Sequence, residues 1–554
     1  SDSRSTSNCS PLPPEGLITA ADVVRARAGD ARVGLVFEGR HWAWAEVVSQ
    51  MESWAAWLGR LTPEGPAHVG ILLDNVPEYL FALGAALLSG SVVVGLNATR
   101  RGGELAGDIS FTDCAVVLTD AGHRPLLEGL DLGSARIVDV TEHPGATRAD
   151  PWTGGPAPDD LALLLFTAGS TGRPKAVRVT QRRIARSASA IGFSSDDVLY
   201  CAMPLFHGNA LFSSVFPAMG SGASIVLRRR FSASTCMSEI RSTSSTFFAT
   251  IGRALSFIVN TPPDPRDRDH RLKVVLAPES SVADMAAFEV RFGCRVVAGY
   301  GSSENAVVFV PKAGLPPDSL GSPLPGLDVA VVNAETMEEC PSARFDGSGH
   351  MENAGEAIGE IVGRNALGRF EGYYNNPEAT EQRSRNGWYW SGDLGYRDEN
   401  GVFYFAGRTI DWLRVDGENF ASAPLERLLG RFEPVTGVAV FGVPDERTVD
   451  DQVMAVVELH DPAAFDPAAF DEFLTVQPDL GTKWAPRYVR VVSQLPVGAT
   501  NKIDKQSLRQ ESWRVDDPVF WRPARRDALR LMSPAERAEL EKAIEAHRPP
   551  RAQR

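Results

Sequence analysis

The 554-residue sequence contains little cysteine, and its basic residues are outnumbered by acidic ones. The six cysteines stand singly, without a CxxC pair or a histidine at zinc-finger spacing, so neither a disulfide framework nor a zinc finger is expected. Lysine and arginine total 56 against 70 aspartate and glutamate, which gives a net charge of −14. A general nucleic-acid binder needs a basic face, and this charge balance argues against one.

The sequence also gives no clear targeting or membrane signal. Ser1 to Ser7 is polar and lacks the apolar run of a secretory signal. One uncharged stretch, Tyr79 to Thr99, is long enough to cross a bilayer. Gly84, Gly90 and Gly95 interrupt it, and its pattern is more typical of a helix, a turn and a buried strand. We therefore predict a cytoplasmic protein without a transmembrane segment, and peripheral membrane contact stays open.

Short β-rich runs alternate with longer helical patterns over residues 17 to 340, as at Ala115–Leu118 and Lys273–Ala277. This alternation predicts parallel sheets covered by helices, which is a doubly wound α/β architecture. Between residues 320 and 408 the strands become short and are punctuated by glycine. That change predicts a small β-barrel or sheet, so the expected fold class is α/β with a barrel attached.

A smaller α+β unit is predicted behind this region, from Asp411 to about Arg509. The tail that follows is charged, and Ser533 and Glu536 form a capping box that predicts a terminal amphipathic helix. The expected division is a large domain over residues 1–410, a small domain over 411–509 and a C-terminal extension over 510–554.

The most informative segment follows an apolar strand at Leu163–Phe166. It is a loop of glycines and small hydroxyl residues closed by a lysine, and it consists of Thr167, Ala168, Gly169, Ser170, Thr171, Gly172, Arg173, Pro174 and Lys175. Such a loop can wrap backbone N–H groups and hydroxyls around phosphate oxygens. It is not a Walker loop, because Pro174 breaks the G-x-x-x-x-G-K-[ST] spacing. A plain turn between two strands is the alternative interpretation.

Four further motifs follow this loop. They are Gly299–Glu304, Trp390–Gly395, Gly407–Asp411 with Gly417–Asn419, and Ala499–Lys505. The loop resembles the T-S-G-[ST]-T-G-x-P-K signature of the adenylate-forming superfamily, and the other motifs occur in that superfamily's order. The superfamily includes acyl-CoA synthetases, adenylation domains of peptide synthetases and luciferases. The chain is identified as a member that resembles the acyl-CoA synthetases, also called fatty-acid–CoA ligases.

The resemblance implies a two-step reaction that uses ATP, Mg²⁺ and coenzyme A. A carboxylate attacks the α-phosphate of ATP to give an acyl-adenylate and pyrophosphate, and CoA then takes the acyl group. Because anions meet in the first step, neutralisation of charge is the main catalytic need. The resemblance places the loop from Thr167 to Lys175 on the β- and γ-phosphates, with Lys175 as a catalytic residue, and makes Glu304 the Mg²⁺ ligand.

The resemblance also implies where the adenosine part of ATP would lie. An aromatic ring would stack on adenine, a second segment would form the opposite wall, and two charged residues would contact the ribose. These residues are Tyr300 with Gly301, Ser302 and Ser303; Ala277, Pro278 and Glu279; and Asp393 and Arg408.

The small domain carries the remaining residues that the resemblance implies. Asp411 falls at the hinge between the domains, where its role is to absorb backbone torsion. Lys502 would enter the site with the small domain and balance charge during adenylation, whereas an exposed charged loop that includes Lys505 is the alternative. After the small domain rotates, Gly417 and Glu418 would face the site and line the CoA channel.

The acid pocket carries a weaker signal. His207 lies in a segment that resembles the one whose His or aromatic residue gates the acid pocket, and a structural histidine is the alternative. Five phenylalanines fall in the region that lines this pocket in relatives, namely Phe212, Phe216, Phe247, Phe248 and Phe257. They favour an apolar acid such as a long-chain fatty acid or a sterol side-chain acid, although ordinary core packing would also explain them.

The sequence thus predicts an AMP-forming acyl-CoA synthetase for a lipid-like acid, with small molecules as its partners. Whether it is a monomer or a homodimer stays open. No carrier serine motif follows Lys505, which favours a free-standing ligase. An acyl-AMP ligase that loads a separate carrier protein is the alternative, and a non-catalytic binding homologue is a third hypothesis. Retention of all the catalytic residue types argues against that third hypothesis.

Overall fold

The structure is a computed structural model of the chain. It describes residues 18–145, 155–167, 175–278, 280, 282–312, 314–316, 319–334, 336–345, 353–408, 412–415, 418–446, 451–477, 480–481, 483–496 and 505–547.

The strands of the described part of residues 18–408 belong to three sheets. In chain order they are β1 (Val33–Phe37), β2 (Arg40–Ala43), β3 (His68–Leu72), β4 (Val92–Gly95), β5 (Cys114–Thr119), β6 (Arg136–Asp139), β7 (Leu161–Thr167), β8 (Lys175–Thr180), β9 (Val198–Cys201), β10 (Ser224–Leu227), β11 (Phe247–Ala249), β12 (Val274–Leu276), β13 (Arg295–Val297), β14 (Tyr300–Gly301), β15 (Val308–Val310), β16 (Ser319–Pro323), β17 (Val329–Val332), β18 (Gly359–Gly363), β19 (Tyr373–Tyr374), β20 (Ser384–Arg385), β21 (Trp388–Arg397) and β22 (Phe403–Arg408).

The helices of the same region cover these sheets. They are α1 (Ala20–Arg25), α2 (Trp44–Leu61), α3 (Pro77–Ser89), α4 (Gly102–Phe111), α5 (Gln181–Ala188), α6 (Gly208–Ala210), α7 (Phe216–Ser221), α8 (Ala233–Ser242), α9 (Gly252–Val259), α10 (Val282–Phe292), α11 (Ala354–Ala357) and α12 (Pro377–Arg383). A π-helical turn, Leu211–Val215, joins α6 to α7, and 3-10 turns lie at Arg124–Leu127, Val140–Glu142 and Leu367–Arg369.

Two seven-stranded sheets form the main body of this region. The first runs β13-β12-β11-β9-β10-β1-β2 and is parallel except for β2. The second runs β19-β8-β7-β4-β3-β5-β6, and its β8 and β19 are antiparallel additions at one side. Helices between successive parallel strands match the predicted doubly wound arrangement, so the predicted α/β class is confirmed.

The cores of these sheets follow from the alternation of side chains along each strand. Leu199 and Ile225 belong to the same cluster as the buried faces of α2 and α3, whereas their neighbours Tyr200 and Val226 belong to a second cluster with α8 to α10. Successive residues of a strand point to opposite faces, so a continuously apolar strand buries both of its faces. Such strands explain why the sequence runs are apolar without alternation.

The uncharged stretch at Tyr79–Thr99 forms a buried helix, a turn and a strand, as predicted. Pro77 starts α3 in its first turn, and Gly90 ends it with a left-handed φ of 79° that favours glycine. Strand β4 follows, and all four of its residues are buried. Within the described ranges, the structure has no helix with both the length and the apolar composition to cross a membrane.

The third sheet is antiparallel and occupies the place of the predicted small barrel. Its order is β14-β15-β16-β22-β21-β18-β17, and β20 pairs with β21. Strand β21 is ten residues long and pairs with both β18 and β22. This sheet therefore carries two of the sequence motifs, the one at Trp390–Gly395 and the start of the one at Gly407–Asp411.

The C-terminal part has a hairpin, a five-stranded sheet and helices. Its strands are β23 (Trp412–Val415), β24 (Glu418–Ala421), β25 (Gly437–Pro444), β26 (Asp451–Glu458), β27 (Tyr488–Val492), β28 (Val519–Trp521) and β29 (Arg530–Leu531). Its helices are α13 (Ser422–Leu429), α14 (Pro467–Thr475), α15 (Lys505–Glu511) and α16 (Pro534–His547), with a 3-10 turn at Pro462–Ala464.

The segment after residue 510, expected to be an extension, is built into this sheet. Strands β25 to β29 are neighbours in that order. Trp513, Leu540 and Ile544 are buried in the same cluster as Tyr488 of β27. Ser533 accepts the backbone N–H of Glu536, so the predicted capping box is present at the start of α16.

Candidate active site

The predicted phosphate loop connects two antiparallel neighbours in the second sheet. Thr167 ends β7 and Lys175 begins β8, and the two residues stand opposite each other in the register. The Thr167 hydroxyl lies 3.4 Å from the Lys175 carbonyl oxygen, to which it donates. Residues 168–174, which include the predicted Ala168, Gly169, Ser170, Thr171 and Gly172, lie outside the described residues. The two ends of the loop are therefore held together by the sheet.

Lys175 and Glu304 are brought together by Tyr373. Strand β19 pairs with β8, and this pairing carries Tyr373 to the side of Lys175. The Lys175 Nζ lies 5.7 Å from the centre of the Tyr373 ring, and the Tyr373 hydroxyl donates to Glu304 Oε1 at 2.6 Å. Lys175 and Glu304 are only 4% and 6% exposed. The structure therefore places the phosphate-loop lysine and the predicted metal ligand around one tyrosine.

Electrostatics in this cluster depend on burial and on Arg383. Burial, and then the charge of Arg383, lower the pKa of Lys175 to about 8, against the opposing effect of Glu304. Burial acts to raise the pKa of Glu304, but Arg383 and the hydrogen bond from Tyr373 outweigh it and hold that pKa below its ordinary value. At neutral pH the cluster thus contains an ionised carboxylate and at least two cations.

Tyr300 and Asp393 form a second polar pair. The Tyr300 hydroxyl donates to Asp393 Oδ2 at 2.6 Å, and the Tyr300 ring lies edge-on to Phe309 at 5.5 Å. Burial, together with Asp393, raises the pKa of Tyr300 well above its ordinary value, so Tyr300 stays a donor. Arg408 stands directly opposite Asp393 in the pairing of β21 and β22. The two residues predicted to contact the ribose are therefore cross-strand neighbours.

The predicted walls of the adenine pocket follow β12 and β14. Ala277 is buried at the end of β12, where its N–H donates to the Val297 carbonyl at 2.9 Å. Pro278 follows, and its carbonyl accepts the Gly252 N–H at 2.9 Å. Glu279 lies outside the described residues. On the other side, Gly301 and Ser302 are exposed and Ser303 is half-buried.

His207 lies on a segment that reaches the same region. The segment packs on the end of β4, where a Cβ at Gly95 would lie 3.1 Å from the Phe206 backbone. A Cβ at Gly208 would lie 3.5 Å from a Leu165 methyl group and 3.7 Å from the Ser303 hydroxyl. His207 itself is half-buried beside the Phe206 ring, with ring centres 4.6 Å apart. The candidate gate is therefore next to the motif that ends in Glu304.

The five phenylalanines expected in the acid pocket divide into two groups. Phe216, Phe247 and Phe248 are buried in the core, which agrees with the alternative interpretation for them. Phe212 is half-buried, follows His207 by little more than one helical turn, and lies under the Arg183 guanidinium at 5.3 Å. Phe257 is 45% exposed on α9. Phe212 and Phe257 thus keep surface that can line a pocket.

Two arginines and a tyrosine in this region were not expected from the sequence. Arg183 donates to the Arg178 carbonyl at 3.3 Å and to the Ser303 carbonyl, which fixes the motif before Glu304. Arg383 and Tyr373 lie at Glu304 as described above. None of the three belongs to the motifs identified in the sequence. Tyr373 could have been inferred only from the pairing of β19 with β8.

Several predicted residues fall outside the part of the chain that the structure describes. They are Glu279, Asp411, Gly417 and Lys502. Glu418 starts β24 and pairs with Val415 across the hairpin of β23 and β24. Lys505, the second lysine of the same motif, is held by Glu426 at 2.7 Å and by the Ser422 hydroxyl at 2.8 Å.

Comparison with known proteins identifies the fold and the family of the chain. Two solved structures have the same fold. The first is o-succinylbenzoate CoA synthetase MenE of Bacillus subtilis, with a TM-score of 0.74 and 24% identity; the match covers 89% of this chain and 98% of that one. The second is amide bond synthetase McbA of Marinactinospora thermotolerans, with a TM-score of 0.73 and 23% identity; the match covers 89% of this chain and 99% of that one. These likenesses show that the chain shares the fold of both structures.

Sequence relatives give the family. The profile of a family described as "AMP-binding enzyme" matches residues 23–374. The chain is 45% identical over 543 residues to steroid-22-oyl-CoA synthetase of Rhodococcus jostii, which covers 96% of this chain and 98% of the relative. It is 41% identical over 503 residues to medium/long-chain-fatty-acid–CoA ligase FadD17 of Mycobacterium tuberculosis, with coverage of 89% and 96%. The chain belongs to the AMP-binding enzyme family, and the predicted resemblance to acyl-CoA synthetases is confirmed. It is an AMP-forming acid–thiol ligase, which uses ATP and CoA.

Proposed function

We propose that this protein activates a lipid-like carboxylic acid, either a steroid side-chain acid or a medium- to long-chain fatty acid, and transfers it to CoA. The observation that carries the proposal is the 45% identity, over nearly the whole of both chains, with a ligase named for a steroid acid. The similarity to a fatty-acid ligase at 41% identity supports the same hydrophobic class. A reducing cytoplasm is the proposed location, since the five cysteines of the described part are free and buried.

In the first step the chain has to bring a carboxylate to the α-phosphate and neutralise the pyrophosphate that leaves. Lys175, at the end of the loop from Thr167, is the cation that we assign to the phosphates. The pKa of Lys175 is lowered to about 8. A phosphate bound beside it would raise that pKa again and keep the ammonium group charged above pH 8. Lys502 is the second proposed lysine. The ion pair between Lys505 and Glu426 supports this choice, because Lys505 already has a structural role.

Magnesium fits the proposed site through Glu304. The carboxylate is buried, and its lowered pKa keeps it ionised at neutral pH. Mg²⁺ binds through one or two carboxylates together with phosphate oxygens and water, and when bound it would neutralise phosphate charge. Tyr373 orients Glu304 by its hydrogen bond to Oε1. This hydrogen bond fixes the position of the carboxylate before ligands bind.

The adenosine part of ATP is proposed to lie between two walls. Tyr300 forms one wall, and its hydrogen bond to Asp393 fixes the ring and the carboxylate together. Ala277, Pro278 and Glu279 form the other wall. Asp393 accepts hydrogen bonds from the ribose hydroxyls, and Arg408 on the opposite strand supplies donors to ribose and phosphate.

The acid and the thiol are proposed to enter from different sides. His207 gates the acid pocket, and Phe212 and Phe257 supply apolar surface to its wall. Asp411 serves as the hinge for the small domain, and the hairpin that contains Gly417 and Glu418 lines the CoA channel after rotation. This apolar wall would favour a substrate with a hydrocarbon chain, because burying that chain against the wall removes apolar surface from water.

The test is carboxylate-dependent release of pyrophosphate from Mg·ATP. Steroid acids with side chains of different length, fatty acids of increasing length, benzoate and acetate are each assayed with and without CoA. Pyrophosphate release with the steroid or fatty acids, and accumulation of acyl-CoA only when CoA is present, would support the proposal. Activity with acetate or benzoate alone would refute the substrate class. Accumulation of acyl-AMP that CoA does not discharge would instead support the carrier-loading alternative.

A further inference from the structure

Arg383 lies at the end of α12 with its guanidinium against strand β21. Its Nη1 donates to the Trp390 carbonyl at 3.1 Å. A Cβ at Gly392 would lie 2.1 Å from Nη1, and Gly392 has a φ of 75°, which favours glycine. Strand β21 therefore holds the guanidinium in two ways: the Trp390 carbonyl accepts its hydrogen bond, and Gly392, which has no side chain, leaves space for it next to Asp393.

Arg383 is hydrogen-bonded to Tyr373, and the charge of Glu304 favours its guanidinium cation. Among the residues that the structure describes, no carboxylate oxygen lies within 4 Å of its guanidinium nitrogens. Arg383 thus joins the group around Tyr373, where the Lys175 Nζ lies 5.7 Å from the ring centre and Glu304 Oε1 accepts the hydroxyl at 2.6 Å. Lys175 and Arg383 are two cations on one tyrosine, with Glu304 as the single carboxylate there, so a polyanion bound at this place would be attracted by both cations.

Arg385, two residues further on, provides a contrast within the same chain. It forms an ion pair with Glu360 at 3.6 Å, and its guanidinium lies over the Trp390 ring at 4.1 Å. Its side chain is 45% exposed. Arg385 therefore pairs with Glu360 near the surface, whereas Arg383 contacts Tyr373 in the cluster of Lys175 and Glu304.

We propose that Arg383 is a further catalytic residue, which binds the pyrophosphate part of ATP together with Lys175. The inference rests on the proposed function and adds a second cation of the main domain to it. In the adenylation step a bond forms between the substrate carboxylate oxygen and the α-phosphorus, and the bond from that phosphorus to the bridging oxygen breaks. The electron pair goes to the leaving pyrophosphate, whose growing charge the guanidinium neutralises with paired N–H donors.

The experiment compares binding of ATP and of AMP to Arg383→Gln, Arg385→Gln and the wild type by calorimetry. Loss of a charge-assisted contact weakens binding by about tenfold or more, so Arg383→Gln should lose ATP affinity by at least about tenfold and keep its AMP affinity within about twofold. Arg385→Gln should keep both affinities within about twofold. Arg383→Lys should recover part of the ATP affinity, because it restores the charge without the planar fork.

Three results would overturn the proposal. They are unchanged ATP affinity in Arg383→Gln, an equal loss for ATP and AMP, and an equal loss in the Arg385→Gln control. Thermal unfolding checks that each variant is folded. If Arg383→Gln is not folded, Arg383→Lys is compared with the wild type: it should lose part of the ATP affinity and keep its AMP affinity within about twofold. Unchanged ATP affinity, or an equal loss for ATP and AMP, would then overturn the proposal. Binding of ATP by the wild type without activation of any acid would refute the proposed function and leave this inference standing.

Discussion

Replacement of Lys175 by methionine should stabilise the ligand-free protein while it weakens ATP binding. The side chain is almost completely buried, and lowering its pKa from 10.5 to about 8 corresponds to about 3 kcal/mol of unfavourable free energy for the charged form. Residual solvent screening reduces this to about 2 kcal/mol. Methionine keeps a similar length and needs no solvation, so it removes the cost without opening a cavity.

The sign of the effect depends on pH. Below pH 8 the lysine is charged in both the folded and the unfolded states, so the full cost is present; above pH 10.5 it is neutral in both, and the cost disappears. At pH 7 the melting temperature of Lys175→Met should therefore exceed that of the wild type by roughly 2 to 4 °C. The difference should shrink as the pH rises from 8 to 10.5.

Differential scanning calorimetry over this pH range, with and without Mg·ATP, makes the measurement. ATP should raise the melting temperature of the wild type far more than that of Lys175→Met, because ligand binding stabilises in proportion to affinity. Lys273→Met is the control, since Lys273 is a 65% exposed lysine paired with Asp197 at 2.6 Å, and its loss should not stabilise the protein. A Lys175→Met protein that melts below the wild type at pH 7, or a difference that persists at pH 10.5, would refute the reasoning.

Three other substitutions test the same cluster. Glu304→Gln should raise the Mg²⁺ concentration needed for half-maximal turnover, and an unchanged Mg²⁺ titration would remove Glu304 from the metal site. Tyr373→Phe deletes the 2.6 Å hydrogen bond that helps to keep the pKa of Glu304 low, so the acid limb of the pH–rate profile should move to higher pH; a limb that stays in place would contradict this. Gly392→Ala should lower the melting temperature and weaken ATP binding, because its Cβ would meet the Arg383 guanidinium and its φ of 75° disfavours alanine; wild-type values for both would contradict the assigned packing.

Local patterns in the sequence were sufficient to predict the helices and strands, and the site residues that lie in sequence motifs. Strand β7 and the loop from Thr167 could be predicted because an apolar run ends in glycines and hydroxyl residues. The helix, turn and strand of the uncharged stretch could be predicted because Gly90 interrupts it and favours the left-handed φ observed there. The link between Tyr300 and Asp393 joins two motifs already identified, so only their contact was new.

Residues placed by tertiary structure could not be predicted in this way. Tyr373 reaches Lys175 only because β19 adds to the edge of β8, which is a pairing over about 200 residues of chain. Arg383 enters the site because Gly392 leaves space on a neighbouring strand. The number of phenylalanines in this region could not show which of them line a pocket and which belong to the core. In the structure Phe248 is fully buried, whereas Phe257 is exposed. The integration of residues after 510 depended on β28 pairing with β27.

Transfer of isotope from the acid to the nucleotide tests the central claim most directly. The carboxylate of an accepted lipid-like acid is labelled with ¹⁸O, and the AMP, pyrophosphate and any inorganic phosphate are analysed by mass spectrometry after turnover with ATP and CoA. The account predicts one ¹⁸O atom in AMP and none in pyrophosphate, because the carboxylate oxygen becomes bonded to the α-phosphorus and stays with it when CoA takes the acyl group. Label in inorganic phosphate, or acyl-CoA formed without label in AMP, would contradict an acyl-adenylate.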